Sequence, residues 1–335
     1  MPSHHHGVDG APGYGWARAT LVQAAETMRV CAISVDLDEI HHYYGIHGLA
    51  TPLGGREEHA VYDLALQRFA DFASAERLPL TLFAVGADLA RPENGRRLRE
   101  LAARGHEIGN HSFDHFYDLS RRTMDQIRQQ ISRANDAIAA HTGQRPSGFR
   151  APGYVMSDPV YRALGEAGMT YSSSLFPCPY YYVAKATIIT LLGLGGKSSH
   201  SIVSGPQVLG APRLPYHVGR PYWRAGAGVL ELPIQVTPKL RLPFIGTNLT
   251  LLGPRLARRM ARSLVGQPLI NLELHGVDLL DQHDHLQALA VHQFDLSLRL
   301  ERKWAVLRAV VGELRGAGYA FVRLDEAARQ FELKS

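Results

Sequence analysis

Short apolar runs of strand type alternate with helical segments along most of this 335-residue chain. The first run, 29–35, is almost continuously apolar, which is typical of a parallel strand buried on both faces. Further runs of this type occupy 80–85, 106–110, 148–150, 169–174, 229–236, 269–274 and 319–323. Because there is no internal repeat and no clear linker, the alternation predicts one α/β domain built on a parallel sheet or barrel.

The alternation defines the expected boundaries of the domain. Residues 1–28 are interpreted as a flexible leader, and 29–335 as a single domain. The stretch 175–227 is rich in Pro, Gly and Tyr and breaks the pattern, so we predict a long insertion or lid there.

Composition narrows the class of protein. The 36 Lys and Arg residues are dispersed and the formal net charge is +5, which argues against a nucleic-acid partner. Two cysteines form no disulfide framework, and the N-terminus lacks the basic-then-apolar pattern of a secretory signal, so a cytoplasmic location is expected. No run reaches the ~18 apolar residues that a membrane-spanning helix needs. Composition leaves the oligomeric state open.

Residues able to carry chemistry follow the predicted strands at their carboxyl ends, where α/β folds bind ligands. They are Asp36, Asp38, His111, His115, Arg150 and His275. If the backbone turns helical after the third strand, His111 and His115 share one face and can both bind one metal ion.

One of the two aspartates would complete a two-histidine, one-carboxylate metal site. Such a site suits a hydrolytic metal that activates water, and equally the non-haem iron of oxygenases. Taken singly, the pieces are better explained by a helix-capping Asp36–Asp38 pair and two surface histidines. Their shared position at strand ends favours the metal site.

Two further residues suit roles beside such a metal. Arg150 stays charged and could hold a carboxylate in its ionised form, although a structural ion pair would look the same in the sequence. His275 could donate a proton to a leaving amine, with Asp278 three residues later as a carboxylate partner. A histidine bonded to a loop carbonyl is the alternative.

Four motifs in this order resemble the polysaccharide deacetylase (NodB-homology) family across about 28–330. They are Ser34-Val35-Asp36-Leu37-Asp38, His111-Ser112-Phe113-Asp114-His115, Arg150-Ala151-Pro152-Gly153-Tyr154 and Leu272-Glu273-Leu274-His275. The resemblance implies a distorted (β/α) barrel of seven or eight mostly parallel strands that binds one divalent metal ion, usually zinc.

The resemblance also implies a role for each motif residue. Asp38, His111 and His115 would be the metal ligands. Asp36 would be the general base and Arg150 the residue that orients it. Tyr154 would give its backbone N–H to the oxyanion, and His275 would be the general acid.

The first motif departs from the common pattern, because Leu37 separates two aspartates that are usually adjacent. This spacing resembles the branch of allantoinase-like peptidoglycan deacetylases and the deformylase of undecaprenyl-linked aminoarabinose. The family's aromatic Asp-Trp motif, which tunes the acid histidine, has no clear equivalent, and Asp278 is a candidate replacement. With Asp278, we predict His41 and Tyr43 in the loop after the first strand as substrate-binding residues.

The insertion contains an aromatic and apolar segment, 176–192, and the basic amphipathic segment 254–262 follows later in the chain. Together they could lie on an anionic membrane surface and so serve a lipid-linked substrate at the inner membrane. An ordinary lid and a solvated helix are the alternative, and both interpretations stay open.

The sequence as a whole predicts a metal-dependent hydrolase that removes acetyl or formyl from the amide of an amino sugar. A hydrolase of cyclic imides or ureides with the same fold is one alternative. A catalytically silent glycan- or lipid-binding module is the alternative outside enzymes.

Overall fold

The computed structural model describes Met1 and residues 29–51, 54–55, 57–203 and 205–332. The predicted leader, apart from Met1, lies outside the described residues, so its flexibility stays a prediction.

Nine strands in the described part of the chain form one sheet. They are β1 Val30–Asp36, β2 Thr81–Ala84, β3 Glu107–Asn110, β4 Gly148–Phe149, β5 Tyr171–Ser172, β6 Tyr216–Val218, β7 Ala225–Glu231, β8 Leu269–His275 and β9 Ala320–Phe321. The strand order is β6-β7-β5-β4-β3-β2-β1-β8, and β9 pairs with β1. Only β6 and β7 pair in antiparallel fashion.

The sheet curls so that its far strands approach each other. Beyond β7, the backbone N–H of Gln235 donates to the carbonyl of Asn271 in β8, at 3.1 Å. Ile245 also forms an isolated parallel bridge with Glu273. The predicted (β/α) barrel is therefore confirmed as a mixed α/β fold whose parallel strands curl into a half-barrel.

The strand β7 differs most from its predicted bounds, 229–236. β7 begins at Ala225, earlier than expected, because a short antiparallel pairing with β6 extends its start. It ends at Glu231, two residues before Pro233, which lacks an N–H to continue the ladder.

The helices cover the outside of the sheet and the carboxyl ends of its strands. They are α1 Ile40–Ile46, α2 Leu66–Glu76, α3 Pro92–Ala103, α4 Met124–Thr142, α5 Asp158–Glu166, α6 Pro179–Leu194, α7 Gly246–Leu252, α8 Pro254–Ser263, α9 Gln287–Ala290, α10 Leu300–Gly316 and α11 Leu324–Glu332. The predicted start of α4 is confirmed, since Thr123 and Gln126 form both hydrogen bonds of a capping box. Among the described residues, no helix combines the length and apolar character needed to cross a membrane.

β1 lies between β2 and β8 in the sheet, and all seven of its residues are buried. Its odd-numbered residues, Cys31, Ile33 and Val35, pack in the main core beneath the helices. Because side chains alternate along a strand, Ser34 and Asp36 face the other way, into the half-barrel. β1 therefore joins the packed outer core to the polar interior.

Candidate metal centre and active site

Strand register brings the first and last motifs together. Asp36, the last residue of β1, pairs directly with His275, the last residue of β8, and with Phe83 on the other side. Asp38 lies two residues further on and is also buried. The parallel pairing therefore sets two acidic side chains and an imidazole at one end of the half-barrel.

The second motif does not form a helix, so the helical premise of the sequence analysis is wrong. Ser112 and His115 both have positive φ, at 64° and 53°, and the chain makes an irregular turn. The side chain of Asn110 accepts the N–H of Ser112 at 2.7 Å and holds this turn.

A buried glutamine on α4 supports the same turn. The Gln130 side-chain oxygen accepts the N–H groups of Phe113 and Asp114 at 3.2 and 2.8 Å. The two histidines therefore converge through a loop that side-chain hydrogen bonds hold in place.

The predicted metal ligands meet at one point. Asp38 Oδ1 lies 3.0 Å from His111 Nε2 and 3.1 Å from His115 Nε2, and the two nitrogens are 3.2 Å apart. Ligands about 2.1 Å from a shared ion are themselves about 3.0 to 3.4 Å apart, depending on its geometry. The spacing therefore fits one divalent ion.

The hydrogen bonding around these ligands supports the same interpretation. Asp38 Oδ1 is buried without a hydrogen-bond partner, although two imidazoles surround it. His111 Nδ1 lies 2.8 Å from the carbonyl of Arg150, which requires the proton on Nδ1 and leaves the Nε2 lone pair free for a metal. A buried carboxylate oxygen without a partner, beside an imidazole nitrogen with a free lone pair, fits a cation site.

Burial and the short distances between these side chains shift their pKa values. Burial would raise the pKa of Asp38, but the nearby His115 and His111 hold it well below its usual value. Burial lowers the pKa of His115, and Asp38 only partly offsets this effect. For His111, the charges of Asp36 and Asp38 outweigh burial and raise the pKa.

Arg150 holds Asp36, as the resemblance implies. Its Nη1 donates to Asp36 Oδ1 at 2.7 Å, and both side chains are buried. The other guanidinium donors bind Ser34 Oγ, Ser173 Oγ and the carbonyl of Ser173 at 2.7 to 2.9 Å. With its donors engaged, Arg150 keeps a charged carboxylate in place beside the metal ligands.

His275 is held by a carboxylate that the sequence analysis did not identify. Glu273 Oε1 lies 3.1 Å from His275 Nδ1, and the Tyr154 hydroxyl donates to that same oxygen at 2.9 Å. The Tyr154 oxygen is also 3.1 Å from His275 Nε2. Burial would lower the pKa of His275, but Glu273 raises it to about 9.

Asp278, the predicted partner of His275, is placed differently. It is fully buried and accepts the backbone N–H of His275 at 2.8 Å and the hydroxyl of Thr247 at 2.9 Å. Glu273, rather than Asp278, is therefore the carboxylate beside the imidazole. The alternation of side chains along a strand was the available signal, because positions 273 and 275 share one face.

The structure places the remaining predicted residues in different settings. Tyr43 lines the cavity at the site, whereas His41 is exposed and stacks on His42 with ring centroids 3.9 Å apart. The backbone N–H of Tyr154 donates to the carbonyl of Ala151 at 3.1 Å, so in this conformation the turn already uses it.

A cavity of about 310 Å³ opens above these groups. Its floor includes Asp36, Asp38 and His275, and its walls are largely apolar. One wall is α6, from within the predicted insertion, which contributes Tyr181, Ala184, Lys185, Ile188 and Ile189. Lys185 is not predicted from the sequence, because no local pattern marks a helix lysine that faces a cavity.

Part of the chain is similar in sequence to known deacetylases. The family model described as polysaccharide deacetylase matches residues 62–172. A chitooligosaccharide deacetylase of Sinorhizobium fredii is 31% identical over 100 residues, which are 30% of this chain and 45% of that protein. The peptidoglycan-N-acetylmuramic acid deacetylase of Bacillus subtilis is 29% identical over 99 residues, 29% of this chain and 36% of the relative.

A solved structure shows that the likeness in fold extends further. The crystal structure of a Mycobacterium smegmatis protein assigned to the polysaccharide deacetylases superposes with a TM-score of 0.60 at 17% identity, covering 92% of each chain. The matched stretches span 18% to 45% of the curated relatives' lengths. The predicted resemblance to polysaccharide deacetylases is therefore confirmed for residues 62–172, and the solved structure extends the likeness in fold to most of the chain.

Proposed function

We propose that this chain, of which residues 62–172 match the polysaccharide deacetylase family model, hydrolyses the amide of an N-acylated amino sugar with the help of one divalent metal ion. The acyl group removed is acetyl or formyl. One observation carries the proposal: a candidate metal site, an arginine-held aspartate and a carboxylate-held histidine share one cavity. Amide hydrolysis needs a polarised carbonyl, a base for water and an acid for the amine, and these groups match all three.

The metal would be held by Asp38, His111 and His115. A two-nitrogen, one-oxygen donor set with open positions suits zinc, which we propose as the ion. When bound, the ion supplies Lewis-acid polarisation of the amide carbonyl and makes a water molecule easier to deprotonate.

Asp36 is proposed as the base that takes a proton from the attacking water. Its Oδ1 is occupied by Arg150, while Oδ2 lies 3.7 Å from His111 Nε2 and so faces the metal ligands. The fixed carboxylate needs no rearrangement before it accepts the proton.

His275 is proposed as the acid that protonates the departing amine. With a pKa raised to about 9, it carries a proton at neutral pH before the reaction begins. The Tyr154 hydroxyl contacts both Glu273 and the His275 ring, so we assign it a positioning role. An amine leaves an amide readily only when it is protonated, and His275 would supply that proton.

We further propose that the substrate is partly apolar and lipid-linked, and that the protein contacts an anionic membrane surface from the cytoplasmic side. No residue of α6 is buried, and Val183, Leu191 and Leu194 are 67%, 61% and 81% exposed. Across the cavity, α7 contributes Thr247 to the lining and exposes Leu251. Two exposed apolar surfaces therefore flank the cavity that would bind the substrate.

Positive charges on the neighbouring helix α8 support the same membrane contact. Arg258 and Arg262 of α8 pair with Glu313, whereas Arg255 and Arg259 have no carboxylate within 4 Å among the described residues. Each free arginine near an anionic surface contributes about 1 kcal/mol. Flotation with anionic vesicles should fall when Arg255 and Arg259 are changed to Gln, and a protein that floats with neither anionic nor neutral vesicles would refute the membrane contact.

The experiment that tests the function combines metal analysis with a substrate panel. The purified protein should contain one divalent ion per chain and release free amine from N-acetylated or N-formylated amino sugars. Ring opening of cyclic imides or ureides without amine release would refute an amino-sugar substrate, and oxygen consumption would indicate iron oxygenase chemistry. Bound glycan without turnover of any amide would indicate a binding module.

A further inference from the structure

Lys185 on α6 places a cation in the cavity of the proposed active site. Its Nζ donates to the carbonyl of Gly153 at 3.1 Å. Among the described residues, no carboxylate lies within 4 Å of this ammonium group. The ammonium therefore has hydrogen-bonding capacity that the protein around it does not use.

Lys185 is half-buried in a mainly apolar wall of the cavity, so its charge is only partly screened by water. Its neighbours in the α6 wall are Ala184, Ile188 and Ile189, and Nζ is 5.6 Å from the centre of the Tyr181 ring. Burial lowers the pKa of Lys185 to about 8, so the side chain is still mainly protonated at pH 7. A charge in apolar surroundings is costly unless a partner compensates it.

A second buried lysine shows how this fold satisfies a structural ammonium group. Lys303 Nζ donates to the carbonyls of Val277 and Leu280 at 3.1 and 2.6 Å and lies 3.6 Å from Asp295 Oδ2. Lys185 has one carbonyl and an open cavity in place of the second carbonyl and the carboxylate. Unlike the fully buried Lys303, Lys185 is half-buried and lines the cavity, so its remaining donors are available to a ligand that enters there.

Lys185 lies near Tyr154 and His275, the proposed general acid. Gly153, which accepts its hydrogen bond, directly precedes Tyr154, and the Tyr154 oxygen is 3.1 Å from His275 Nε2. The Tyr154 and Tyr181 rings also pack with centroids 5.4 Å apart. A group bound by Lys185 would therefore belong to the molecule whose amide is hydrolysed.

We propose that Lys185 binds an anionic group of the substrate, a carboxylate or phosphate carried by the amino sugar or attached to it. This inference rests on the proposed function and narrows its substrate class from amino sugars in general to acidic ones. Apolar walls with one cation suit a ligand that has an apolar part and a single negative charge.

Binding to the metal-loaded protein tests the inference without turnover. Titration calorimetry in an Asp36→Asn background would compare neutral N-acetylglucosamine with N-acetylmuramic acid and N-acetylglucosamine 1-phosphate. At least one acidic probe should bind about tenfold tighter or more, as expected for a hydrogen bond to a charged group. The probe that is preferred distinguishes carboxylate from phosphate.

Variants show whether Lys185 is the cause of that preference. Lys185→Met should remove the preference and leave the affinity for N-acetylglucosamine unchanged, whereas Lys185→Arg should keep it. Lys197→Met is the matched control, since Lys197 is exposed and does not line the cavity. Thermal melting checks that each variant is folded.

Two results would overturn the inference: equal affinity for neutral and acidic probes, or an acidic preference that survives in Lys185→Met. If amide turnover is present and the preference is absent, only the substrate class is wrong. If the preference is present and no amide is hydrolysed, the proposed function is wrong and Lys185 still binds anions.

Discussion

Glu273 Oε1 lies 3.1 Å from Nδ1 of His275, two residues further along the same strand. The negative charge of Glu273 raises the pKa of His275 to about 9 against the effect of burial. The protonated fraction of a group falls as pH rises through its pKa, so activity that needs this proton should decline above about pH 9 in the wild type.

Glu273→Gln should move that alkaline decline to lower pH by about one unit or more, because removal of an adjacent opposite charge destabilises the imidazolium. The pH dependence of kcat/KM measures this shift. If kcat/KM declines at the same pH in the variant and the wild type, His275 is not the proton donor.

Tyr154→Phe should lower kcat roughly tenfold and shift the same limb, since it removes the hydroxyl that contacts both Glu273 and His275. The phenyl ring would keep its packing on Phe176. Tyr161→Phe is the matched control, because Tyr161 makes a similar buried bond to Glu231, at 2.8 Å, away from the cavity. The control should lose stability and keep its pH profile; equal pH profiles for both variants would contradict the positioning role.

Asp36→Asn should reduce kcat by about 10²- to 10⁴-fold and leave the metal bound, because the side chain would no longer accept a proton. Asp38→Asn should instead lower the metal content, since Asp38 Oδ1 is within 3.1 Å of both ligand nitrogens. Metal content and turnover of the two variants separate the roles. Full residual activity in Asp36→Asn would exclude it as the base.

Arg150→Met should destabilise the protein by about 3 to 5 kcal/mol, because Asp36 would remain buried without its partner. Adding Asp36→Asn to this variant should restore part of the loss. Arg145→Met is the control, since its ion pair with Asp136 is exposed and should contribute at most about 1 kcal/mol. Chemical denaturation measures all three, and similar losses for Arg150→Met and Arg145→Met would contradict the buried pair.

Gln130→Leu should weaken metal binding by about tenfold or more while the protein stays folded. The substitution removes the acceptor for two backbone N–H groups in the turn between His111 and His115. Gln129→Leu, at an exposed neighbouring position, should leave the affinity unchanged. A metal titration compares the two, and equal affinities would show that the turn holds its shape without Gln130.

The sequence by itself determined the class of fold and the location of most of the site. Strand-type runs and helical periodicity are local patterns, so they can be identified from the sequence without knowledge of the packing. The position of Asp36, Asp38, Arg150 and His275 at strand ends follows from those patterns, because parallel strands end at one edge. The side-chain alternation that sends Asp36 into the half-barrel is equally local.

Only the tertiary structure decided how distant residues meet. His111 and His115 converge through a turn with positive φ, held by side chains from elsewhere in the fold, where helical spacing was expected. Lys185 reaches the cavity because the insertion folds over it. Such contacts depend on strand register and on close packing between segments more than a hundred residues apart, as in Asp36 and Arg150, and no local pattern encodes them.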